Sequence, residues 1–545
     1  MGLATLIVIG CIAALGATDG PSRGNVWPKP RSVVKFHNDG FVIVSPNSFR
    51  FNVTHYKCST LDDALVRYYK FLVLERQAGF TERIHFRTST NDVPLGQVHI
   101  DPNATYRGKL ETLEVELMAP CEHYPYFGMD EHYELRIDSP DLPYAAKLVS
   151  HSIWGILRGL ETFVQLAAPS ADGTALHMSS CMISDYPRFS HRGLLIDTAR
   201  HFIPLETLYT LVDGMEASKL NTFHWHIVDD QSFPYQSSTF PELSDKGAYN
   251  PLSHVYTQNN VKALIEYCRI RGIRVIAEFD TPGHTRSWGD SHPELLTVCY
   301  DETGKPKPIL GPMDPTKEST YKFIDKFFAE LAEVFPDKYM HVGGDEVIKD
   351  CWKSNPDITK YMKMHNFTGY NQLESFYVDK AVQTIYALNK STIVWQEVFD
   401  NGGTRLDRNT VVHIWKGNYP EELRKITAAN YMTLLSSCWY LDHLGVDWKV
   451  MYKCDPQNFE GTPKQKRLVL GGEACMWSEV VDFTNVIPRV FPRASAAAER
   501  LWSDQTVKDI ADASNRLDEF RCRLVRRGIH AEPSRGPGYC PGEIF

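Results

Sequence analysis

HVGGDEV, residues 341–347, sets two carboxylates side by side, Asp345 and Glu346, directly after two glycines. Paired carboxylates suit glycoside cleavage: one gives a proton to the departing oxygen, and the other meets the positive charge that develops on the sugar. When the second is a nucleophile, the two stand roughly 5 to 5.5 Å apart across the sugar. Neighbours on an extended strand point to opposite faces, so both reach one substrate only where the strand ends and the chain turns. What the second carboxylate does is then the chemical question.

Other residues narrow the answer. His224 and His226, in HWH, fall on one face of a strand and, with Asp229 and Asp230, look like a ligand cluster. They lie inside the strand, and few other imidazoles stand at strand ends, namely His201, His284 and His413. Hydrogen-bonded packing is their expected role, and neither a metal nor an organic cofactor is expected. Trp395, Trp415, Trp477 and Trp439 stand near the ends of apolar runs. Indole faces pack against sugar C–H faces while Asp, Glu and Arg fork onto hydroxyls, so the set reads as a carbohydrate pocket. No G-x-S-x-G elbow and no Cys/His pair competes. With Glu346 as proton donor, worth ~10² to 10⁴ in rate, the oxocarbenium ion still needs stabilising. An acetamido group at C2 of the sugar supplies an intramolecular nucleophile with an effective molarity of ~10⁵ to 10⁸ M. Asp345 would then hold the amide N–H and offset the charge of the oxazolinium.

Positioning these groups requires a scaffold, and the chain repeats one from about residue 190. Short β-branched runs end in charged, aromatic or glycine residues: GLLIDTARH (193–201), NTFHWHIVDD (221–230), IRVIAEFDTPGH (273–284), YMHVGGDEV (339–347), STIVWQEV (391–398), NTVVHIWKG (409–417), YMTLLSSCWYLD (431–442) and LVLGGEACMWSE (468–479). Helical stripes lie between them, such as Val261, Leu264, Ile265 and Cys268, or Tyr321, Ile324, Phe328, Leu331 and Phe335. Eight alternating units predict an α/β fold, a closed (β/α)8 or TIM barrel with its chemistry at the strands' C-terminal ends. Earlier residues alternate in LETLEVELMAP (110–120) and HYELRIDS (132–139), then run as an apolar helix-like stretch over 146–167. They predict a smaller α+β domain over 18–185 preceding a barrel domain over 186–545.

Residues 1–17 form a short apolar run ending in small residues, which predicts a removed signal peptide and a secretory route, lysosomal or secreted. Sequons at Asn52, Asn103, Asn366 and Asn389 fit that route as glycosylation sites. A net charge of −9 and a pI near 6.1 leave no basic footprint, so nucleic acid is not an expected partner. Beyond Cys11 there are eleven cysteines, an odd number that leaves at least one thiol free.

HRGLLIDTARHF, FHWHIVDDQSFPY, AEFDTPGHTRSW, HVGGDEV, VWQEVFD and GGEACMWSE, in this order, resemble the blocks of family 20 glycoside hydrolases of the lysosomal β-N-acetylhexosaminidase type. The resemblance runs from about Trp27 to the C-terminus and implies exo-acting retaining hydrolysis of terminal β-linked GlcNAc or GalNAc from a glycolipid, a glycan or a chitooligosaccharide. It implies Glu346 as acid/base, Asp345 as orienter of the acetamido group, and Arg200 and Glu479 as hydroxyl clamps. Trp395, Trp415 and Trp477 would be aromatic walls, Tyr440 a donor to the acetamido carbonyl, and Asp229 and His284 supports of the acid. It also implies disulfides Cys58–Cys121, Cys299–Cys351 and Cys522–Cys540, thiols at Cys181, Cys268 and Cys475, and a homodimer. Cys438 and Cys454, which flank the seventh rim loop, either pair or stay free. After Tyr440 this chain has Leu441, Asp442 and His443, where the family's anion-accepting version has an asparagine and an arginine. Asp442 favours neutral sugars through repulsion, and a protonated His443 would partly reverse it. The loop GVDW that follows looks shorter than in the lysosomal enzymes.

Overall fold

A computed structural model describes residues 25–37, 39–77, 105–170, 175–402 and 406–540. The apolar leader over 1–17 and the Asn103 sequon lie outside them.

The barrel is closed and parallel. Its strands are β1 (His191–Asp197), β2 (Thr222–Val228), β3 (Arg274–Phe279), β4 (Tyr339–His341), β5 (Ser391–Trp395), β6 (Val411–Ile414), β7 (Met432–Leu435) and β8 (Val469–Met476). Helices cover the outside and side chains fill the inside, so every residue of β1, β2 and β3 is buried. The helix Gln258–Arg269 starts from a capping box in which Thr257 and Asn260 satisfy each other's backbone N–H groups. It buries Val261, Leu264, Ile265 and Cys268. Glu318–Val334 buries Phe323, Ile324, Phe327, Phe328 and Leu331 in the same way, each large side chain worth ~1.5 to 3 kcal/mol.

A six-stranded sheet precedes the barrel, ordered Ser32–Lys35, Cys181–Asp185, Tyr133–Ser139, Leu142–Ser150, Thr112–Leu117, Arg50–His55. With helices Ser59–Gln77 and Ile153–Gln165 it forms the smaller α+β domain. The apolar stretch over 146–167 is not one helix: Leu142–Ser150 is a strand, and the helix begins only where the Ser152 side chain accepts the Trp154 N–H. Apolarity without a clear period did not separate a buried strand from a buried helix. All of Ile153–Gln165 is buried, between the sheet and the barrel. Arg158 donates from this helix to the carbonyl of Gly272 at 2.8 Å and pairs with Glu131 at 2.8 Å, which also meets Arg192 of β1 at 2.6 Å. The two guanidiniums overcome burial and hold the Glu131 carboxyl below its usual range. Removing one partner of such a buried pair costs about 3 to 5 kcal/mol, which docks the two domains firmly.

Disulfides join Cys58 to Cys121, Cys299 to Cys351, Cys438 to Cys454 and Cys522 to Cys540, while Cys181, Cys268 and Cys475 are buried thiols. Asn52, Asn366 and Asn389 are exposed. Among the described residues no helix is long and apolar enough to cross a membrane.

Candidate active site

The glycine pair before the two acids explains how neighbouring carboxylates part company. β4 is only three residues long, and Gly343 and Gly344 follow it at φ of 67° and 94°, where side chains are disfavoured. A Cβ on Gly343 would sit 1.7 Å from Asp280 Oδ1, which instead accepts the Gly344 N–H at 2.8 Å. The turn leaves Asp345 8% exposed, while Glu346, itself in the left-handed region at φ 47°, holds a side chain 57% exposed. That conformation costs a non-glycine residue about 1 to 2 kcal/mol. One carboxylate is therefore fixed in the floor and the other is presented at the opening.

His284 stands between them. Its Nδ1 is 3.1 Å from Asp229 Oδ1, and its Nε2 is 3.7 Å from Glu346 Oε2, 3.8 Å from Asp345 Oδ2 and 3.9 Å from Asp280 Oδ2. Burial opposes a charge on this ring, yet the hydrogen bond to Asp229 and the Asp345 carboxylate raise its pKa to about 9, so it is an imidazolium at neutral pH. Asp229 is held far below the usual carboxylate range, because His226 and His284 outweigh the cost of burial. Arg200 pairs with Asp229 at 2.8 Å and Asp197 at 3.1 Å, reaches to 3.8 Å from Glu479, and lies 5.2 Å over the Trp477 ring. Burial disfavours its charge, but the three carboxylates more than compensate.

Asp280 behaves differently from the other acids. Burial, then Asp345 and Glu278, drive its pKa well above the carboxylic range, so it stays protonated and hydrogen-bonds to Asp345. Asp345 lines the cleft with little of its side chain exposed, and a ligand N–H that enters can meet its carboxylate there.

The cleft measures about 250 Å³, near the lower end of the ~300 to 1,000 Å³ of small-molecule sites. It brings together all the sequence-predicted pocket residues but Trp439: Arg200, Asp229, His284, Asp345, Glu346, Trp395, Trp415, Tyr440, Asp442, Trp477 and Glu479. Trp395 and Trp415 meet edge to face at 6.5 Å, and Trp415 stacks on Tyr440 at 6.1 Å. Their indole N–H groups are anchored on Glu278 at 2.7 Å and Glu397 at 2.8 Å. Trp439 does not reach the cleft; it packs in the main core and donates to the carbonyl of Met451, because the chain after β7 alternates Trp439 outward and Tyr440 inward. Asp442 lines the opening beside His443. Burial and Glu479 raise its pKa, while His443 pulls the other way.

Asp197, Glu278 and Glu397 had no assigned part in the sequence, and Asp280 stood only at the polar end of the run 273–284. Glu278 lies on β3 two residues before Asp280, which follows the strand's end, so the alternation of that run pointed both the same way. Among the described residues two groups bring three metal-type donors together, His224 with His341 and His413, and Asp280 with His284 and Asp345. In the first, both nitrogens of His224 already face carboxylates, Glu473 at 2.7 Å and Glu278 at 3.0 Å. In the second, an imidazolium and a protonated acid are poor ligands.

The chain is similar to known proteins over most of its length. Residues 189–505 match the catalytic domain of glycosyl hydrolase family 20, and residues 26–166 match a domain described as beta-acetyl hexosaminidase like. The chain is 47% identical to the beta-hexosaminidase subunit beta of Mus musculus over 526 residues, 94% of this chain and 92% of that one. It is 45% identical to the subunit alpha of Rattus norvegicus, covering 95% of each. A Flavobacterium johnsoniae chitobiase structure superposes with a TM-score of 0.77 at 28% identity, covering 93% of this chain and 73% of that one. With a full-length relative, a matching barrel and an acid pair on its rim, the chain is a glycoside hydrolase and belongs to glycosyl hydrolase family 20.

Proposed function

We propose that the chain is an exo-acting, retaining β-N-acetylhexosaminidase that releases terminal β-linked GlcNAc or GalNAc by substrate-assisted catalysis. The single observation that carries this reading is the division of labour at the turn, a largely buried carboxylate in the cleft floor beside an acid held in the open. Glu346 gives its proton to the glycosidic oxygen, and the acetamido oxygen of the same sugar forms a bond to C1 as the alcohol leaves. Asp345 accepts the amide N–H and balances the oxazolinium, while Asp280 holds Asp345 from behind. Glu346, now a carboxylate, takes a proton from water as its oxygen attacks C1 and reopens the ring. Two displacements at C1 retain the β configuration, and no second nucleophile from the protein is needed.

His284, as imidazolium, steadies both carboxylates; Arg200 and Glu479 are placed to fork onto hydroxyls of one terminal sugar. The tryptophans and Tyr440 enclose that sugar on its apolar faces, with Tyr440 directed to the acetamido carbonyl. A cleft of this volume suits a single residue at a chain end, which supports exo action. Asp442 at the opening favours neutral over sulfated sugars, whether the natural substrate is a glycolipid, a glycan or a chitooligosaccharide. Relatives named as subunits support assembly as a homodimer, and the leader and sequons support a lysosomal or secreted destination.

The test pairs two substrates with two variants. Wild type should hydrolyse chromogenic β-N-acetylglucosaminides and leave the 2-hydroxy glucosides nearly untouched. Glu346→Gln should lose ~10² to 10⁴ in kcat, and Asp345→Asn should lose affinity for thiazoline mimics of the intermediate. Equal turnover of both substrates would end the proposal.

A further inference from the structure

A line of charge runs through the barrel interior that the reaction above leaves unused. From the cleft wall, Asp229 Oδ2 faces His226 Nε2 at 2.9 Å, and His226 Nδ1 faces Glu278 Oε2 at 2.7 Å. The same oxygen lies 3.0 Å from His224 Nε2. His224 Nδ1 is 2.7 Å from Glu473 Oε2, and Glu473 Oε1 is 2.6 Å from His191 Nε2. All six side chains are buried. His191 opens β1 and lies near Ile393, Val411 and Leu434 at the far end of the barrel. Carboxylate and imidazole thus alternate along the barrel. The backbone makes room for this: a Cβ on Gly193 would lie 2.4 Å from Glu473 Cγ.

Stability does not explain such a column. Barrel interiors are ordinarily filled by branched aliphatics, and buried ion pairs gain little over well-packed apolar residues of like volume. The geometry does explain a charge state. His226 meets a carboxylate at each nitrogen, so both nitrogens carry hydrogen and the ring is a cation; that cation keeps Asp229 an anion aimed at His284. We propose that His226 is a positioning residue for the proton chemistry of Glu346, and that Glu278 behind it, linked through His224 to Glu473, is the counter-charge that keeps it protonated. The proposal rests on the hexosaminidase reading of the cleft and adds a reason for its buried support.

Burial works against the charge on His226, but Glu278 and Asp229 carry its pKa to about 10, and Glu473 with Glu278 carries that of His224 to about 9. Around His226 the groups from each neighbouring strand are Asp229, Glu278, Asp197 and the Trp477 ring at 4.9 Å. Around Glu346 the cleft sets Asp345, Asp280, Asp442 and Glu479 against His284, Arg200 and His443. Removing one positive charge from this set favours the protonated form of every carboxyl that senses it, and removing a negative charge does the reverse.

The experiment measures kcat/KM against pH for the full chain, using a chromogenic β-N-acetylglucosaminide, with thermal unfolding to verify that each variant folds. His226→Gln should lower kcat more than it changes KM and move the basic limb up by about one pH unit. Glu278→Gln should lower the pH at which the His226 ring loses its proton, read by histidine-selective nitrogen NMR. A folded His226→Gln enzyme whose limb stays at the wild-type pH would overturn the proposal, since a purely structural role lowers activity without moving it. Should neither variant fold, histidine-selective nitrogen NMR of the wild type decides: imidazolium signals for His226 from pH 5 to 8 support the column, and a neutral ring at pH 7 overturns it. An inactive wild type would sink the reading of the cleft while the NMR still judged the column.

Discussion

On β3, β5, β6 and β7 the lower barrel interior is filled by Ile276, Ile393, Val411 and Leu434, whereas on β1, β2 and β8 the same space holds His191, His224 and Glu473. The aliphatic side keeps the barrel together through area removed from water. The charged side contributes less to stability per atom but fixes direction, since His226 has one orientation in which each nitrogen meets a carboxylate. The two depend on each other. Aliphatic walls lower the local dielectric, and that strengthens the ion pairs beside them. The cleft stands at the top of the charged side, with Glu278 anchoring Trp395 and His226 anchoring Asp229.

The contrast can be broken most severely at its upper end. Asp229→Asn should cost ~10² or more in kcat, because the amide no longer balances His284 or His226, while chemical denaturation shows a smaller change than on the aliphatic side. Ile276→Ala should do the opposite, losing about 2 to 5 kcal/mol in denaturation with kcat of the folded enzyme near wild type. A large loss of kcat in the folded Ile276→Ala enzyme would mean that the two sides do not divide stability from function.

Stability against pH sharpens the comparison further. His224, His226 and His284 have folded pKa values raised to about 9, 10 and 9 from 6.5. Their contribution is fully present below pH 6.5 and is lost as pH rises through about 9 to 10. Asp229, Glu278 and Glu473 are depressed below their ordinary values of 3.8, 4.5 and 4.5, so their contribution is present above those values and fades as pH falls. The melting temperature should therefore peak between about pH 4.5 and 6.5. His224→Gln should flatten the alkaline decline, and Ile276→Ala should lower the whole curve without changing its shape. The smallest effect is expected from Ile393→Val, about 0.5 to 1.5 kcal/mol with an unchanged pH profile.

Much of this was legible in the residues. Eight β-branched runs with polar ends became the eight barrel strands, because parallel strands buried on both faces must be short and apolar. The run around Leu142–Gln165 was misread where continuous apolarity hid the Ser152 cap between a strand and a helix. Trp439 was placed with the rim tryptophans because composition marks a strand end but does not say which way a ring turns once the strand has stopped. Cys438 and Cys454 remained open for the same reason, as pairing depends on the approach of two loops and not on a spacing of 16 residues.

By itself the sequence determined which atoms were available: an acid next to an acid, glycines where the chain must turn, aromatic rings at strand ends, imidazoles on one strand face. Those are local properties, set by residue type and by the period of two along a strand. Only the tertiary structure decided their charge. Asp280 and Asp229 are the same residue type on neighbouring strands, yet one is pushed to keep its proton and the other to lose it, because Asp280 is buried against Asp345 and Asp229 lies between two imidazoliums. Proton affinity answers to burial and to groups distant in the chain, and folding alone brings those together.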